Sequence, residues 1–418
     1  MSDSAAYRPA DAPSLPRSWV LAGLVVLAVR LALLVFSAPG ETVLEGDEPY
    51  YDELARGMIA NGSYGLDGEP SVHRPPGWPA ILAVIYRLMG ESRRVVVMWQ
   101  ALFDFGTVMC TAWMAGRLFR SRAATVVGFA LAVTWPPFLR EALHMQTEPL
   151  FTMVVAVLLV VFFRFIERPS VWHGLAVGVA TGIASLVRPT GIVILAGLGL
   201  GWLIQTRGRG LLRIPALVAM AVGLIAILAP WAVRNYRAVH SFVPIAVGSG
   251  EQFFLGSLLE TGGRWNHDIW WPIRDNAIRD EEARLGRTLN AAERDNVWLE
   301  RGREIWREHP GKSLAISIRR FARLVALPVL SEDRPWLRLG FLAVLFTLYF
   351  LALPTGVRGL RTGDHSLRFA GVLLVMVVLY AVVSSMVYTT SRFFEPVRTV
   401  FLVLAAGPIS RRWFARLG

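Results

Sequence analysis

Long apolar stretches recur along nearly the whole chain, and they constrain the fold more than any other feature. A helix needs about 20 apolar residues to cross a bilayer. Residues are 54% hydrophobic and only 18% charged, whereas soluble domains are about 45–50% apolar and about 25% charged. The sequence therefore predicts an all-α polytopic membrane protein of about ten transmembrane helices, not a soluble protein with one anchor. The predicted spans are residues 19–37, 95–116, 123–139, 149–166, 172–187, 190–205, 213–233, 336–353, 368–388 and 397–410.

The distribution of arginine predicts the orientation of these spans. Cytoplasmic connections of membrane proteins carry an excess of Lys and Arg. If residues 1–18 form a cytoplasmic tail, alternate connections are cytoplasmic as well, and every one of them is basic. They are residues 117–122, 164–170, 205–213, 357–368 and the C-terminal tail 411–418. Topology thus accounts for the net charge of +12, and a nucleic-acid partner is not expected.

Two apolar segments are not counted as spans. The segment 75–90 is short and rich in proline. Counting it as a span would place the basic connection at 117–122 on the external side of the membrane. Residues 312–330 read as an amphipathic surface helix, because arginines interrupt their apolar run. The region 19–410 is accordingly predicted to be one transmembrane domain, with a first external loop at 38–94 and a long external segment at 234–335.

Charged residues are concentrated at the predicted external ends of the spans. A guanidinium matches two phosphate oxygens, and a carboxylate in the same cavity can take a proton from an incoming hydroxyl. This combination suggests a lipid-linked phosphate and an acceptor alcohol. The external cations are Arg74, Arg140, Arg188, Arg234, Arg237 and Arg392, and beside them stand Asp47, Glu48, Asp52, His73, His144, Glu148, Glu251 and Glu395.

Structural roles are open for each of these residues. Glu48 and Asp52 suit the N-terminal dipole of a helix starting near residue 48, and Glu148 after Thr147 suits a helix start. A single interfacial arginine often only snorkels, and Arg30 is expected to pair within the bundle. No His/Cys spacing indicates a metal site, so neither a metal ion nor another cofactor is expected.

The order of several motifs resembles the GT-C glycosyltransferases that use polyprenyl-phosphate sugars. Within that superfamily the chain is similar to the bacterial protein O-mannosyltransferase-like enzymes and to the lipid A aminoarabinose transferase. The resemblance covers roughly residues 19–410 and depends on motif order rather than on one motif. The motifs are the acidic pair Asp47-Glu48, YYDELARGM (50–58), HRPPGWPAILAVIYRLMG (73–90), TEPLF (147–151), RPTG (188–191), PWAVRNY (230–236) and SRFFEPV (391–397).

The resemblance implies a GT-C-like bundle and a set of site residues. Asp47 is expected to be the catalytic carboxylate, with Glu48 beside it. Substrate contacts are expected from Tyr50, Tyr51, His73, Arg74, Glu148, Arg188, Arg234 and Arg392. One departure is that His73-Arg74 stands where the aminoarabinose transferase has an acid and a lysine, so either Glu148 or Glu69 replaces the second acid or that acid is dispensable.

The function implied is transfer of a sugar from a polyprenyl-phosphate donor to an acceptor hydroxyl by inverting displacement. The expected location is the bacterial inner membrane, with the site on the extracytoplasmic side among membrane lipids. The sequence leaves open which sugar moves and whether a glycan, a lipid or a protein accepts it. Two alternatives are a flippase for lipid-linked sugars and an O-antigen-ligase-like transferase.

Overall fold

The computed structural model describes residues 17–37, 46–66, 68–208, 213–262, 266–326, 335–362, 364–388 and 390–414. Most of the two predicted cytoplasmic tails, and residues 38–45 of the first external loop, lie outside these ranges.

A short hairpin pairs β1 (Gly65–Leu66) with β2 (Glu69–Pro70), with Gly65 opposite Pro70. The helices are α1 (Arg17–Ser37), α2 (Glu48–Asn61), α3 (Gly77–Met89), α4 (Arg93–Phe119), α5 (Arg122–Val133), α6 (Pro136–Glu141), α7 (Glu148–Glu167), α8 (Val171–Val187), α9 (Gly191–Thr206), α10 (Ile214–Val239), α11 (Ser249–Ser257), α12 (His267–Leu285), α13 (Ala291–Glu308), α14 (Pro310–Ala326), α15 (Pro335–Arg361), α16 (His365–Met386) and α17 (Glu395–Phe414).

The structure confirms an all-helical membrane architecture. Among the described residues, α4, α7, α10, α15, α16 and α17 are long and apolar enough to cross a membrane. The other four predicted spans overlap the apolar helices α1, α5, α8 and α9. The 13-residue α3 is apolar but short, as expected for the segment that was not counted as a span. The amphipathic segment at 312–330 is helical as α14 up to residue 326.

Two predicted span boundaries differ from the helix ends of the structure. The span 123–139 is interrupted, because α5 ends at Val133 and the short α6 begins at Pro136. A residue before proline is disfavoured in helical conformation, so Trp135 is extended (ψ 111°) and a new helix starts with Pro136 in its first turn. The predicted connection at 357–368 is also mostly helical, since α15 continues to Arg361 and α16 begins at His365.

Glycines bring α8 and α10 into backbone contact. Gly174, Gly178 and Gly182 recur every four residues on one face of α8. A Cβ at Gly178 would overlap the carbonyl oxygen of Met220 on α10. Small residues at this spacing let membrane helices approach closely enough for van der Waals packing to hold them together. This contact matters for α10, because the rest of that helix is largely unburied.

The ion pair between Arg30 and Asp104 is enclosed between the membrane helices. Arg30 on α1 pairs with Asp104 on α4, and both side chains are at least 95% buried. Arg30 also donates to the carbonyl oxygen of Val133 at the end of α5. A charge at membrane depth is costly unless it is paired, so the pair confirms the predicted role of Arg30 and ties three helices together.

The long segment predicted to be external contains the helices α11 to α14, and α11, α12 and α13 share a small core. Trp270, Leu255 and Trp298 are buried there, and Gly286 separates α12 from α13 in a left-handed conformation (φ 65°). The buried Arg320 of α14 donates to the carbonyl oxygens of Gly256 (2.7 Å) and Ser385 (2.9 Å). Burial lowers the pKa of Arg320 to about 10. Arg320 therefore fastens the helical segment to the end of α16.

Candidate active site

Asp47 lies at the start of α2, and its side chain is left free of the helix it precedes. The side chain forms no capping hydrogen bond with α2. Its Oδ1 instead accepts from Nη2 of Arg74 at 3.2 Å, and its Oδ2 lies 3.5 Å from Nη2 of Arg392. The side chain is 37% exposed. A carboxylate between two guanidiniums that also faces solvent can accept a proton from a molecule entering from outside.

Arg392 joins Asp47 to a second carboxylate. It lies in the 3₁₀ turn Ser391–Phe394 just before α17. Its Nε is 3.3 Å from Oε1 of Glu148, the first residue of α7. Its Nη1 donates to Oε1 of Gln146. One arginine thus spans two acids that lie about 100 residues apart in the sequence.

Arg188 completes the cluster from the end of α8. Its Nη1 lies 2.8 Å from the same oxygen of Glu148 and 3.2 Å from the hydroxyl of Thr147. Its guanidinium stacks on the ring of Phe393 at 4.0 Å. Thr147 forms no side-chain cap on α7, so Glu148 and Thr147 serve this contact rather than the capping role that the sequence left open.

Arg74, Asp47, Arg392, Glu148 and Arg188 are therefore one connected set, called here the arginine cluster. Three guanidinium charges face two carboxylate charges, which leaves one positive charge in excess. The set lies at one end of the bundle, where α2 and α7 begin, α8 ends and α17 begins. An anion carrying one negative charge would balance it.

Glu48 is placed differently from its neighbour. Its side chain is fully buried, and its oxygens lie 3.1 Å from Nη1 of Arg93 and 3.5 Å from Nδ1 of His144. It also accepts from the backbone N–H of Met145 at 2.9 Å. These contacts fasten α2 to α4 and to the turn before α7, and they hold Glu48 away from the open side of Asp47.

Tyr51 brings a hydroxyl into the arginine cluster. Its side chain is 93% buried, and it interacts electrostatically with Asp47, Arg74, Arg188 and Glu148. Burial raises the pKa of Tyr51 above its ordinary value, so the phenol stays protonated and can donate a hydrogen bond.

Tyr50 and Arg234 support the loop that carries Arg74. The hydroxyl of Tyr50 lies 3.0 Å from that of Ser71, and its ring lies 5.6 Å from the guanidinium of Arg74. Arg234 donates to the backbone carbonyl oxygens of Ser71 (2.6 Å) and Tyr64. Both side chains thus act on the loop rather than on the centre of the cluster.

His73 directly precedes Arg74 in the chain, and its side chain is exposed. The charged groups acting on it include Arg74 as well as Glu251 and Asp295 of the long helical segment. The predicted substrate residues therefore divide between the cluster (Arg74, Glu148, Arg188, Arg392 and Tyr51), its supporting loop (Tyr50 and Arg234) and the surface beside α11 (His73).

Sequence reasoning missed two residues of this region. Gln146, 6% exposed, accepts from Arg392 and is uncharged, so nothing marked it in the sequence. Glu141 ends α6 and is 5% exposed, with only a long 3.9 Å contact to Arg140. Burial and the nearby Glu148 raise the pKa of Glu141 to about 7. A small cavity beside the cluster is lined by Asp104, Thr107, Phe138, Glu141, Glu148, Pro149, Thr152 and Glu395.

Within the described residues, no group of three or more His, Cys, Asp or Glu side chains is placed to hold a metal ion. The acids of the site are instead faced by arginine.

This chain is similar in sequence to known proteins. A family model described as dolichyl-phosphate-mannose-protein mannosyltransferase matches residues 73–233. An undecaprenyl phosphate-alpha-4-amino-4-deoxy-L-arabinose arabinosyl transferase of Edwardsiella ictaluri (strain 93-146) is 25% identical over 260 residues, 60% of this chain. An uncharacterised protein of Aquifex aeolicus (strain VF5) is 23% identical over 195 residues, 46% of this chain. The matches span 43% and 39% of these relatives, respectively.

Solved structures are more distant. ArnT from Cupriavidus metallidurans, crystallised with undecaprenyl phosphate, is 17% identical, with 96% of this chain and 80% of that chain aligned at a TM-score of 0.46. The arabinosyltransferase EmbB from Mycobacterium smegmatis is 14% identical, with 99% of this chain and 44% of that chain aligned at a TM-score of 0.40. The all-helical membrane architecture, the family model and the arabinosyl transferase relative together confirm the resemblance to the GT-C superfamily of membrane glycosyltransferases.

Proposed function

We propose that this protein is an integral-membrane glycosyltransferase that moves a sugar from a polyprenyl phosphate to an acceptor hydroxyl. The site faces the extracytoplasmic side of a bacterial inner membrane, and Asp47 is the general base. The single observation that carries the proposal is the arginine cluster, in which a partly exposed carboxylate lies between guanidiniums that retain one uncompensated positive charge.

The charge of the cluster suits the donor. A sugar linked to a polyprenyl phosphate is a phosphodiester with one negative charge. That charge balances the excess positive charge of the cluster, whereas an uncharged solute would leave a partly buried guanidinium without a counter-charge. Arg74 and Arg392, which are 36% and 25% exposed, are the cations that an entering phosphate can reach. Arg188 is less exposed, at 16%, and holds Glu148.

The reaction is a single displacement. The acceptor oxygen attacks the anomeric carbon from the face opposite the phosphate, the bond from that carbon to the phosphate oxygen breaks, and its electron pair leaves with the phosphate. Asp47 takes the proton of the acceptor hydroxyl, and the configuration of the sugar inverts. The transition state resembles the oxocarbenium ion of glycoside hydrolysis.

The arginines act where charge develops. The released polyprenyl phosphate has one more negative charge than the donor, and the guanidiniums lie where that charge forms. Stabilisation of developing charge by preorganised donors is usually the largest contribution to catalysis. Tyr51, which stays protonated, donates a further hydrogen bond to a phosphate oxygen. Tyr50 and Arg234 hold the loop that positions Arg74.

Glu48 has a structural part in this mechanism. It is buried against Arg93, so it cannot meet an acceptor, and it fixes the start of α2 from which Asp47 projects. Glu148 takes the place of the second acid, because it shares Arg392 with Asp47. It orients the arginines and makes no contact with the acceptor proton.

The test is to incubate purified protein with radiolabelled undecaprenyl-phosphate sugars in detergent or nanodiscs. We expect release of undecaprenyl phosphate and transfer of label to an acceptor, with EDTA making no difference. The control is the same preparation carrying Asp47→Asn. Movement of the labelled lipid across a vesicle bilayer without release of undecaprenyl phosphate would instead identify a transporter. Label transferred only from a pyrophosphate-linked glycan would favour the ligase alternative.

A further inference from the structure

The aromatic ring of Phe393 lies against two cations of the arginine cluster. The guanidinium carbon of Arg188 is 4.0 Å from the ring centroid, and that of Arg392 is 5.3 Å from it. The same two arginines also approach one oxygen, Oε1 of Glu148, at 2.8 and 3.3 Å. One carboxylate oxygen and one aromatic ring therefore contact the same two positive charges.

Two guanidiniums that share one carboxylate oxygen repel each other. The side chains of Arg188 and Arg392 are only 16% and 25% exposed, so water screens this repulsion less than it would at an open surface. The face of an aromatic ring is negative and attracts a cation, and the attraction grows as the pair loses contact with water. Phe393 therefore offsets part of the repulsion that Glu148 leaves.

A ring contact leaves the hydrogen-bond donors of an arginine available. Stacking uses the flat face of the guanidinium, whereas its N–H groups lie in the plane and point outwards. Nη1 of Arg392 donates to Gln146, and its Nη2 lies 3.5 Å from Oδ2 of Asp47. Each of these nitrogens carries a second N–H. Phe393 can thus fix the plane of Arg392 without occupying the donors that a phosphate oxygen needs.

The backbone of Phe393 is held on both sides. The hydroxyl of Tyr380 on α16, a side chain only 1% exposed, donates to the carbonyl oxygen of Phe393 at 2.9 Å. The N–H of Phe393 donates to the carbonyl oxygen of Thr390 at 3.1 Å, and the next residue, Phe394, is fully buried. Groups that are already held in position lose little conformational entropy when a ligand binds.

We propose that Phe393 is a positioning residue for the donor. Its ring fixes the guanidinium of Arg392, which meets the donor phosphate, and that of Arg188, which holds Glu148. Tyr380 acts one step further back, because it fixes the backbone that carries the ring. This inference rests on the proposed function for the identity of the anion, and it assigns part of donor recognition to an uncharged side chain.

The experiment changes the charge distribution of the ring while nearly keeping its shape. Residue 393 is replaced, by suppression of a stop codon, with phenylalanine carrying one, two or three ring fluorines, which withdraw electron density from the face of the ring. Phe393→Leu and Tyr380→Phe complete the set. The matched control carries the same fluorinated residues at Phe369, whose ring packs edge-on against Phe163 at 4.7 Å. Thermal unfolding of each protein checks that it is folded.

Two quantities are measured in nanodiscs, the Kd for radiolabelled undecaprenyl phosphate and the KM values for donor and acceptor. The Kd should rise with each added fluorine at position 393, to roughly 10-fold with three, and Phe393→Leu should raise it at least as much. Tyr380→Phe should raise it roughly 5-fold, because one neutral hydrogen bond is lost. The donor KM should follow the Kd, the acceptor KM should stay unchanged, and the Phe369 series should match the wild type.

Unchanged or tighter binding across the fluorine series at position 393 would overturn the proposal. This holds even if Phe393→Leu weakens binding, because the ring would then only fill space, and it also holds if Phe393→Leu does not fold. Equal rises in the donor and acceptor KM would overturn it as well.

The same measurements distinguish this inference from the proposed function. Fluorine-dependent binding of undecaprenyl phosphate, without its release from any labelled donor, would refute the transferase and leave the role of Phe393 in place. If the wild type binds no undecaprenyl phosphate, the proposed function fails first and the role of Phe393 falls with it.

Discussion

Asp47 and Glu48 are adjacent in the chain and chemically alike, yet the fold treats them in opposite ways. Asp47 is 37% exposed and lies 3.2 and 3.5 Å from its two guanidiniums. Glu48 is fully buried, with Arg93 at 3.1 Å and a backbone N–H at 2.9 Å. The ion pairs of Asp47 are open to solvent, and its oxygens can accept further hydrogen bonds. The ion pair of Glu48 is closed off from solvent. An acidic motif near a membrane span can therefore keep one carboxylate open to solvent and enclose the other.

The largest effect is expected from removing the charge of Asp47. Asp47→Asn keeps the shape of the side chain but cannot accept the acceptor proton. Loss of one general base costs about 10²–10⁴-fold, so we expect the turnover number to fall by that factor. Expression, insertion and unfolding temperature should stay close to wild type, because the open pair contributes little to stability. Near-normal transfer by this variant would remove Asp47 from the role of base.

Glu48→Gln tests the role of the buried acid of the two. It leaves Arg93 buried without its counter-charge, and breaking a buried pair from one side costs about 3–5 kcal/mol. We expect a clear fall in unfolding temperature in detergent, together with a lower yield. The specific activity of the protein that remains folded should be largely kept. A stable variant with strongly reduced turnover would show that Glu48 acts in the chemistry after all.

Arg392→Ala tests whether Arg392 binds the donor rather than the acceptor. A hydrogen bond to a charged group contributes about 1.5–3 kcal/mol, so we expect the KM for the polyprenyl-phosphate sugar to rise roughly 10- to 100-fold. The KM for the acceptor should change much less. Arg301→Ala, at an exposed pair with Glu304 on α13, is the control and should be neutral. A change confined to the acceptor KM would mean that the phosphate binds elsewhere.

The smallest effect concerns Glu141, a buried acid whose ion pair with Arg140 is long, at 3.9 Å. Its pKa is raised to about 7 by burial and by Glu148. A raised pKa in the folded state means that its stabilising contribution is complete below about pH 4.5 and is lost as the pH rises through 7. Relative to wild type, Glu141→Gln should unfold roughly 3 °C higher at pH 8, and the difference should be much smaller at pH 5.

The comparison that tests this is thermal unfolding of both proteins at each pH, with the exposed Glu308→Gln as control. Using the difference between variant and wild type removes the contribution of the other titrating groups. Equal shifts at pH 5 and pH 8 would mean that Glu141 does not titrate in this window.

Much of the helical framework was predictable because membrane helices must satisfy their own backbone and therefore appear as apolar runs. The missed boundaries had local causes. Pro136 and Pro137 are apolar enough to be read as part of a span, although they end one helix and start another. The extension of α15 to Arg361 was hidden because arginines mark the end of a span without ending the helix.

The candidate site was predictable as a set of residues but not as an arrangement. Topology placed Asp47, Glu148, Arg188 and Arg392 on one side of the membrane, and motif order singled them out. Nothing in the sequence distinguished the exposed Asp47 from the buried Glu48, because burial depends on Arg93 and Met145, which pack from other elements. Gln146 was missed because a neutral amide becomes important only when an arginine lies next to it.

The glycines of α8 have a consequence for the site at its end. Arg188 follows α8 directly, six residues after Gly182, so the depth at which α8 sits against α10 sets the position of that arginine. A bulkier residue at Gly178 would shift α8 within the lipid. It would thereby weaken the contact of Arg188 with Glu148 from a distance. Substrate preference in such a protein can therefore drift through changes that never touch a substrate.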